Sequence, residues 1–410
     1  MADAAANFLR HLRGAEPPLP DYFSVACAHQ RIPHTLLAEI DDFIALFERV
    51  TRRQAWIDRV TDQVPAIARS ARPEVCFFSA WDFHLPPDKP GDWQLIEFND
   101  NGSGLLFAAQ VNRVYYQLFL ADDIAIRPPP LPEDLERQVQ GMIAQETRNC
   151  LNTDTPDGVL ILDDRDSLQK GRFREELGRL AELCRARGWR ARVAAPEDLT
   201  WSGASLLVES EPVSFVVNRA TDFFWQGDQF SALRQAYASG RVYIAPNPFS
   251  YATRSDKRLL DWLSRPDRDR ELGIIADERA LLSRHVPSTW QVSEDNLDAL
   301  AARKLELVFK PSQSHAGLGV LESRDVGRHR LHRLLAKGER YVAQRRVDKG
   351  QLQDANGDPL WADLRVWSWR GQRYLISGRA SRRESRLDLE PPGGWLPTFE
   401  QIQAEVACDA

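Results

Sequence analysis

The amino-acid sequence predicts a fold that combines an α/β region with an α+β region. Three observations lead to this class. The chain has 410 residues, which is more than one hydrophobic core usually organises. Between residues 158 and 220, apolar strands alternate with a helix, which predicts a parallel sheet. From residue 304 onward the apolar runs are short and closely spaced, which predicts a second region made mostly of strands.

The first third of the chain is predicted to contain two helical segments that flank a β-hairpin. Residues 35–70 carry apolar side chains at intervals of three and four, as a buried helix face requires. Residues 74–83 and 92–100 have the composition of strands, and the proline-rich turn between them predicts a hairpin. Residues 102–121 are predicted to form a mostly buried helix.

The remaining elements alternate before the chain becomes strand-rich. Helices are expected near 133–150 and over 173–188, with Gly188 ending the second one. Another helix is expected to open with DKRLLDWL, which begins at residue 256, and 398–407 is expected to close the chain as a helix. The strand-rich region consists of LELVFK, GLGVLES, RYVAQRRV, WADLRVWSWRG and QRYLISGRASR.

Composition and charge exclude several classes of protein. The chain is 43% hydrophobic and 27% charged, which is typical of globular proteins. Its net charge of -6 argues against a general nucleic-acid binder or a membrane-surface protein, since both are usually basic. No apolar segment is long enough to span a membrane, and the N-terminus lacks the apolar core of a secretory signal. The cysteines follow neither a disulfide nor a zinc pattern, so a cytoplasmic location is expected. They are Cys27, Cys76, Cys150, Cys184 and Cys408.

The predicted hairpin carries a candidate metal site. Glu97 and Asn99 are two residues apart on one strand, so their side chains share a face, and Leu95 is expected to share it too. Asp82, on the partner strand, is within reach of that face. Two carboxylates and an amide oxygen are ligands that suit Mg²⁺. The alternative is an ordinary polar face of a hairpin that points to solvent.

A second candidate site follows the strand LELVF. Lys310 leaves this strand and enters a polar loop that contains Ser312, Gly317 and Gly319. Backbone N–H groups and hydroxyls of such a loop can wrap phosphates, and the lysine supplies a positive charge. The order of residues is not that of a Walker A loop. The alternative is a surface hairpin whose lysine is solvated.

The strand YVAQRRV is a candidate nucleotide-binding element. Its first residues, Tyr341 and Val342, lead to Gln344, which interrupts the apolar run. Main-chain groups of such a strand can bind an adenine, with the glutamine side chain beside it. The alternative is an ordinary strand whose polar residues point outward.

Three basic residues complete the set of candidates. Arg365 shares one strand face with Asp363, and Arg379 lies at the end of the next predicted strand. Guanidinium groups bind carboxylates and phosphates in bidentate fashion. Lys257, at the expected start of a helix, is unfavourable to the helix dipole unless a phosphate lies nearby. The alternative for the two arginines is a salt-bridged surface, and the alternative for Lys257 is an ordinary surface lysine.

In their order along the chain, these segments resemble the ATP-grasp fold, in which two α+β subdomains hold ATP between them. The resemblance implies that Lys257 and Lys310 contact ATP phosphates and that residues 341–344 line the adenine pocket. It also implies that Arg365 and Arg379 contact phosphate or the carboxylate that is activated. The resemblance covers roughly residues 74 to 385.

The position of the acidic strand resembles that in the circularly permuted ATP-grasp proteins related to glutathionylspermidine synthetase. In these the E-x-N strand comes early in the chain, as LIEFND does here. The resemblance implies that Asp82, Glu97 and Asn99 bind Mg²⁺. Two features depart from the family pattern: Ala80 replaces an expected arginine, and the phosphate loop has fewer glycines than usual.

The resemblance implies four units and an activity. The units are an N-terminal helical segment (1–73), a metal-binding hairpin and helix (74–127), a Rossmann-like α/β domain (128–250) and the nucleotide-binding subdomains with the tail (251–410). The expected activity joins a small-molecule carboxylate to an amine with ATP and Mg²⁺, through an acyl phosphate. A phosphotransferase and a non-catalytic scaffold are the alternatives.

Overall fold

A computed structural model of the chain describes residues 2–74, 76–313, 319–354, 357–384, 387–391 and 393–402. Within these residues the helices are α1 (Ala2–Gly14), α2 (His34–Val50), α3 (Gln54–Val60), α4 (Leu105–Phe119), α5 (Pro132–Leu151), α6 (Arg165–Lys170), α7 (Arg174–Ala186), α8 (Ser231–Ser239), α9 (Pro248–Ser250), α10 (Leu259–Leu263), α11 (Asp269–Leu272), α12 (Ala276–His285), α13 (Leu297–Ala302) and α14 (Arg328–Ala336). The strands are β1 (Gln30–Pro33), β2 (Ser79–His84), β3 (Gln94–Asn99), β4 (Val159–Leu162), β5 (Ala191–Ala194), β6 (Leu199–Trp201), β7 (Leu206–Val208), β8 (Glu211–Val213), β9 (Phe215–Asn218), β10 (Tyr243–Ala245), β11 (Thr289–Gln291), β12 (Leu307–Pro311), β13 (Tyr341–Arg345), β14 (Gly350–Gln353), β15 (Pro359–Ala362), β16 (Leu364–Trp369), β17 (Gln372–Ser381), β18 (Gly393–Leu396) and β19 (Thr398–Gln401).

The sheet that carries most of the candidate residues is called the large sheet. Its strand order is β14–β15–β17–β16–β2–β3, with β18 also paired to β17, and neighbouring strands are antiparallel. Helix α2 covers one face, where the Phe47 ring lies 4.9 Å from the Trp81 ring at nearly right angles. Burial of that apolar face leaves the opposite face of the central strands for polar side chains.

In the sequence, two further sheets are inserted between β3 and β14 of the large sheet. The order β10–β9–β4–β5 is entirely parallel, which confirms the parallel sheet predicted from the alternating pattern. The small sheet has the antiparallel order β11–β13–β12, and helices α13 and α14 pack on it through a core that includes Leu300, Leu331 and Phe309. None of the helices in the described ranges is long and apolar enough to cross a membrane.

The structure confirms most predicted elements and corrects four. The hairpin is β2–β3, and the helices predicted at 102–121 and 133–150 are α4 and α5. The helical segment predicted over 35–70 is two helices, α2 and α3, which are separated by a turn. The helix expected from residue 256 begins at Leu259, so Lys257 lies in a turn before it.

The other two corrections concern strands. Among the described residues of GLGVLES, only Leu321 pairs, through an isolated bridge to Phe309; residues 317 and 318 lie outside the described residues. Residues 398–401 form β19 rather than a helix, because they pair in parallel with β1 and bury Phe399. The rest of the expected C-terminal helix, from residue 403 onward, lies outside the described residues.

Candidate functional site

The β2–β3 hairpin places two carboxylates directly opposite each other. Asp82 pairs with Glu97 in the register, and a β-bulge follows, because Phe83 pairs with Leu95 and leaves Ile96 as the extra residue. The bulge turns Leu95 to the other face, where it is fully buried in the apolar core beneath α2. The expectation that Leu95 shares a face with Glu97 is therefore wrong, since a bulge breaks strict alternation.

Two arginines bind Asp82, one from β16, which pairs with β2, and one from β17, the next strand of the sheet. Arg365 lies opposite Asp82 in the β16–β2 register and donates to both carboxylate oxygens at 2.6 Å. Arg379, on β17, donates to Asp82 Oδ2 at 3.1 Å and to Asp363 Oδ2 at 2.8 Å from Nε. Burial raises the pKa of the Asp82 carboxyl, but the two guanidinium groups outweigh it and hold this pKa well below its ordinary value.

Strand β12 of the small sheet places Lys310 next to the β2–β3 hairpin. On one face of β12 and β13, Lys310 lies beside Val342 and donates to Gln344 Oε1 at 2.6 Å. Its ammonium also donates to the carbonyl of Ile96, the bulged residue of β3, at 3.0 Å. Burial lowers the pKa of Lys310 to about 8, although the nearby Glu97 carboxylate opposes the shift.

Lys257 joins this group from the turn before α10. Its Nζ lies 3.0 Å from Glu97 Oε1, and its backbone N–H donates to the carbonyl of Ser312 at 3.0 Å. Burial raises the pKa of Glu97, but Lys257 and Lys310 outweigh burial and keep this pKa below its ordinary value. Residues far apart in the sequence therefore form one polar cluster, consisting of Asp82, Glu97, Lys257, Lys310, Gln344, Asp363, Arg365 and Arg379.

The other predicted nucleotide-binding residues lie at the edge of this cluster. Ser312 is buried and its N–H donates to the carbonyl of Arg340 at 2.8 Å. Gly319 has a φ of +73°. The Tyr341 ring lies on the helix-covered face of the small sheet, opposite to Lys310, and its hydroxyl donates to the carbonyl of Gly319 at 3.2 Å. Only the main chain of Tyr341 is therefore placed to contact a ligand beside Lys310. Gly317 lies outside the described residues.

Two residues of this region are not among the candidates that the sequence predicts. Asp363, expected only to share a face with Arg365, accepts from the backbone N–H of Arg379 at 2.7 Å and from its guanidinium. His84 interacts with the carbonyl of Val347 at 3.1 Å through Nδ1, and burial lowers its pKa to about 3, so its ring is neutral. The alternation of side chains along β2 indicates the position of His84, since it follows Asp82 by two residues and therefore shares its face.

The oxygen donors of the hairpin fit a divalent cation by type. Asp82 and Glu97 supply carboxylates, and Asn99 supplies an amide oxygen that accepts from the N–H of Gly102 at 3.2 Å. Both oxygens of Asp82 are bound by Arg365, so a cation there would have to exchange with the guanidinium. In the described part of the chain, no group of three or more His, Cys, Asp or Glu side chains is arranged to hold a metal.

Solved structures share this fold. A glutathione synthetase-like effector (GSS30) from Globodera pallida, in its apo form, matches with a TM-score of 0.60 at 12% identity, over 97% of this chain and 96% of that chain. A putative gamma-glutamylcysteine synthetase from Methylobacillus flagellatus KT matches with a TM-score of 0.51 at 11% identity, over 91% of this chain and 90% of that chain. Both likenesses span nearly the whole chain and confirm the predicted mixed helix-and-sheet fold.

A third structure matches less of the chain. The ATP-grasp ligase PsnB, complexed with a minimal precursor, has a TM-score of 0.35 at 15% identity and covers 60% of this chain and 78% of that chain. No protein-family model matches the sequence, and no curated protein matches it either.

Proposed function

We propose that this protein is an ATP-dependent ligase that joins a small-molecule carboxylate to an amine. The observation that supports this proposal is the polar cluster, in which lysines and arginines converge on the facing carboxylates Asp82 and Glu97. A site of this kind holds a polyanion and a metal together, as phosphoryl transfer requires. The shared fold with proteins described as synthetase-like is consistent with it.

In this proposal the small sheet and its neighbours bind ATP. Lys257 and Lys310 contact the phosphates through their side chains, and Ser312 and Gly319 contact them from the described ends of the loop. The main chain of Tyr341 and Val342 and the side chain of Gln344 lie along the adenine. A buried lysine attracts phosphate strongly because few solvent molecules screen its charge.

Mg²⁺ would be held by Asp82, Glu97 and Asn99, and when bound it would neutralise charge on the phosphate oxygens. Arg365 and Arg379 are the proposed catalytic residues. Released from Asp82, they orient the substrate carboxylate and offset the negative charge that develops on the transferred phosphoryl group.

The chemistry proceeds in two transfers. A carboxylate oxygen attacks the γ-phosphorus, the bond to the β,γ-bridging oxygen breaks, and ADP leaves. The amine nitrogen then attacks the acyl carbon, phosphate leaves, and the amine releases a proton. Such reactions depend on positioning and electrostatics rather than on a nucleophilic side chain.

Turnover of ATP against pooled carboxylic acids and amines tests the proposal, with nucleotides and products identified by mass. ADP, phosphate and a condensed product that has lost one water are expected. A phosphorylated acceptor would indicate a phosphotransferase instead, and AMP would contradict the acyl-phosphate route. Glu97→Gln should abolish turnover, and unchanged turnover in that variant would refute the metal assignment.

A further inference from the structure

A buried arginine lies three residues before Lys257. Arg254 belongs to a π-helical turn, Tyr251–Ser255, in which every residue is buried. Its guanidinium donates two hydrogen bonds to Glu48 of α2, both at 2.7 Å, and its Nε donates to Asp100 at 3.2 Å. π-Helical turns are rare and occur frequently at functional sites.

The partners of Arg254 lie at the ends of the strands that carry the proposed metal ligands. Asp100 directly follows Asn99 and is fully buried. Ser79, the first residue of β2, donates to Asp100 at 3.1 Å and accepts from Arg254 at 3.2 Å. Ser255 donates to the other oxygen of Asp100 at 2.9 Å. The guanidinium of Arg254 therefore connects the start of β2 and the end of β3 to the segment that leads to Lys257.

The N-terminal region supplies the remaining contacts to this turn. Glu48 is 6% exposed, and burial raises its pKa, but Arg254 outweighs burial and keeps this pKa below its ordinary value. Trp56 of α3 donates from its ring nitrogen to the carbonyl of Thr253 at 2.9 Å. Two helices of the N-terminal segment (1–73), α2 and α3, thus hold the π-helical turn in place.

We propose that Arg254 is a positioning residue that sets Lys257 against Glu97, and that Glu48 completes this arrangement. The inference rests on the proposed function, because it treats Lys257 as a phosphate ligand. A lysine substituted for Arg254 keeps the positive charge but lacks the planar fork that binds Glu48 and Asp100 together. It should therefore let Lys257 move without removing it.

Binding of a non-hydrolysable ATP analogue, measured by calorimetry with Mg²⁺ and without turnover, tests this inference in a double-mutant cycle. Arg254→Lys is expected to raise the Kd about tenfold in the wild-type background and less than about twofold in a Lys257→Ala background. Equal effects in the two backgrounds would overturn the inference, because Arg254 would then act independently of Lys257.

Arg279→Lys is the matched control for general loss of stability. Arg279 is also buried and binds Asp269 through Nε at 2.8 and 2.9 Å, but its described contacts include no member of the polar cluster. It should lower the unfolding temperature and leave the Kd unchanged. If Arg254→Lys does not fold, Glu48→Gln takes its place in the cycle, with the same non-additive result expected. Absence of analogue binding by the wild type would refute the proposed function, whereas binding with additive effects would refute the positioning role alone.

Discussion

The large sheet contributes its charged groups to the polar cluster as ion pairs, whereas the small sheet contributes Lys310 with neutral hydrogen-bond partners. On the large sheet, Asp82 and Asp363 are matched by Arg365 and Arg379. On the small sheet, the hydrogen bonds of Lys310 go to an amide oxygen and a backbone carbonyl. The two halves of the cluster thus differ in how their charge is compensated.

This difference has consequences for titration and for binding. The paired arginines hold the pKa of Asp82 far below neutrality, so this carboxylate of the large sheet keeps its charge at any ordinary pH. Burial lowers the pKa of Lys310 to about 8, so the small-sheet half changes charge close to physiological pH. The large sheet is therefore suited to hold geometry, and the small sheet is suited to attract an anion.

The largest expected effect is on stability and arises in the large sheet. Asp82→Asn removes the charge that faces Arg365 and Arg379 in a buried position, and breaking such a pair costs about 3–5 kcal/mol. Urea unfolding should show this decrease in the free energy of unfolding. Asp154→Asn, which breaks an exposed pair with Arg148, should cost less than about 1 kcal/mol. If both variants lose a similar free energy of unfolding, the buried ion pairs of the large sheet contribute no more to stability than an exposed pair does.

The second effect is on nucleotide binding and arises in the small sheet. Lys310→Ala should weaken binding of ATP about 100-fold, because a buried charge that contacts phosphate contributes roughly 2–5 kcal/mol. Equilibrium binding with radiolabelled ATP measures the change. Lys337→Ala, at an exposed position after α14, is the control and should bind as the wild type does. If both variants bind equally well, the small sheet is not the phosphate side of the cluster.

The third effect is a pH dependence of that binding. Below pH 8 the free protein already carries the Lys310 ammonium, and above it the proton must be regained from solution when phosphate binds. The Kd for ATP should therefore rise above pH 8, by up to about tenfold per pH unit. Lys310→Arg, which stays charged, should remove this dependence. A wild-type Kd that stays constant from pH 7 to 10 would contradict the assignment.

The smallest effect concerns the backbone beside Lys310. Gly319 has a φ of +73°, and an added Cβ would lie 2.7 Å from Cγ of Pro311, the residue after Lys310. Gly319→Ala should lower the free energy of unfolding by about 1–2 kcal/mol, since both the conformation and the contact oppose a side chain. Thermal unfolding measures this loss. Gly338 also has a positive φ, but a Cβ added there would meet no atom within 4 Å. The loss in Gly338→Ala therefore measures the backbone strain alone, and any larger loss in Gly319→Ala measures the contact with Pro311.

Much of the fold was predictable because its signals are local. The alternation of apolar strands and helices predicted the parallel sheet of β4, β5, β9 and β10. The composition of residues 92–100 predicted the strand that carries Glu97 and Asn99, and the apolar run before Lys310 predicted the strand Leu307–Pro311. Such patterns are set by backbone geometry over a few residues, and so they can be read without any distant contact.

Only the tertiary structure decided the features that depend on distant residues. The bulge at Ile96, which turns Leu95 into the core and offers a carbonyl to Lys310, follows from pairing with β2 rather than from the sequence of β3. Likewise, β19 is a strand because β1 lies beside it. The sequence by itself thus determined the elements and the chemical types of the candidate groups, whereas register and buried ion pairing decided which groups meet. Strand register and buried ion pairing depend on contacts between segments far apart in the chain, and the local periodicity of the sequence does not predict such contacts.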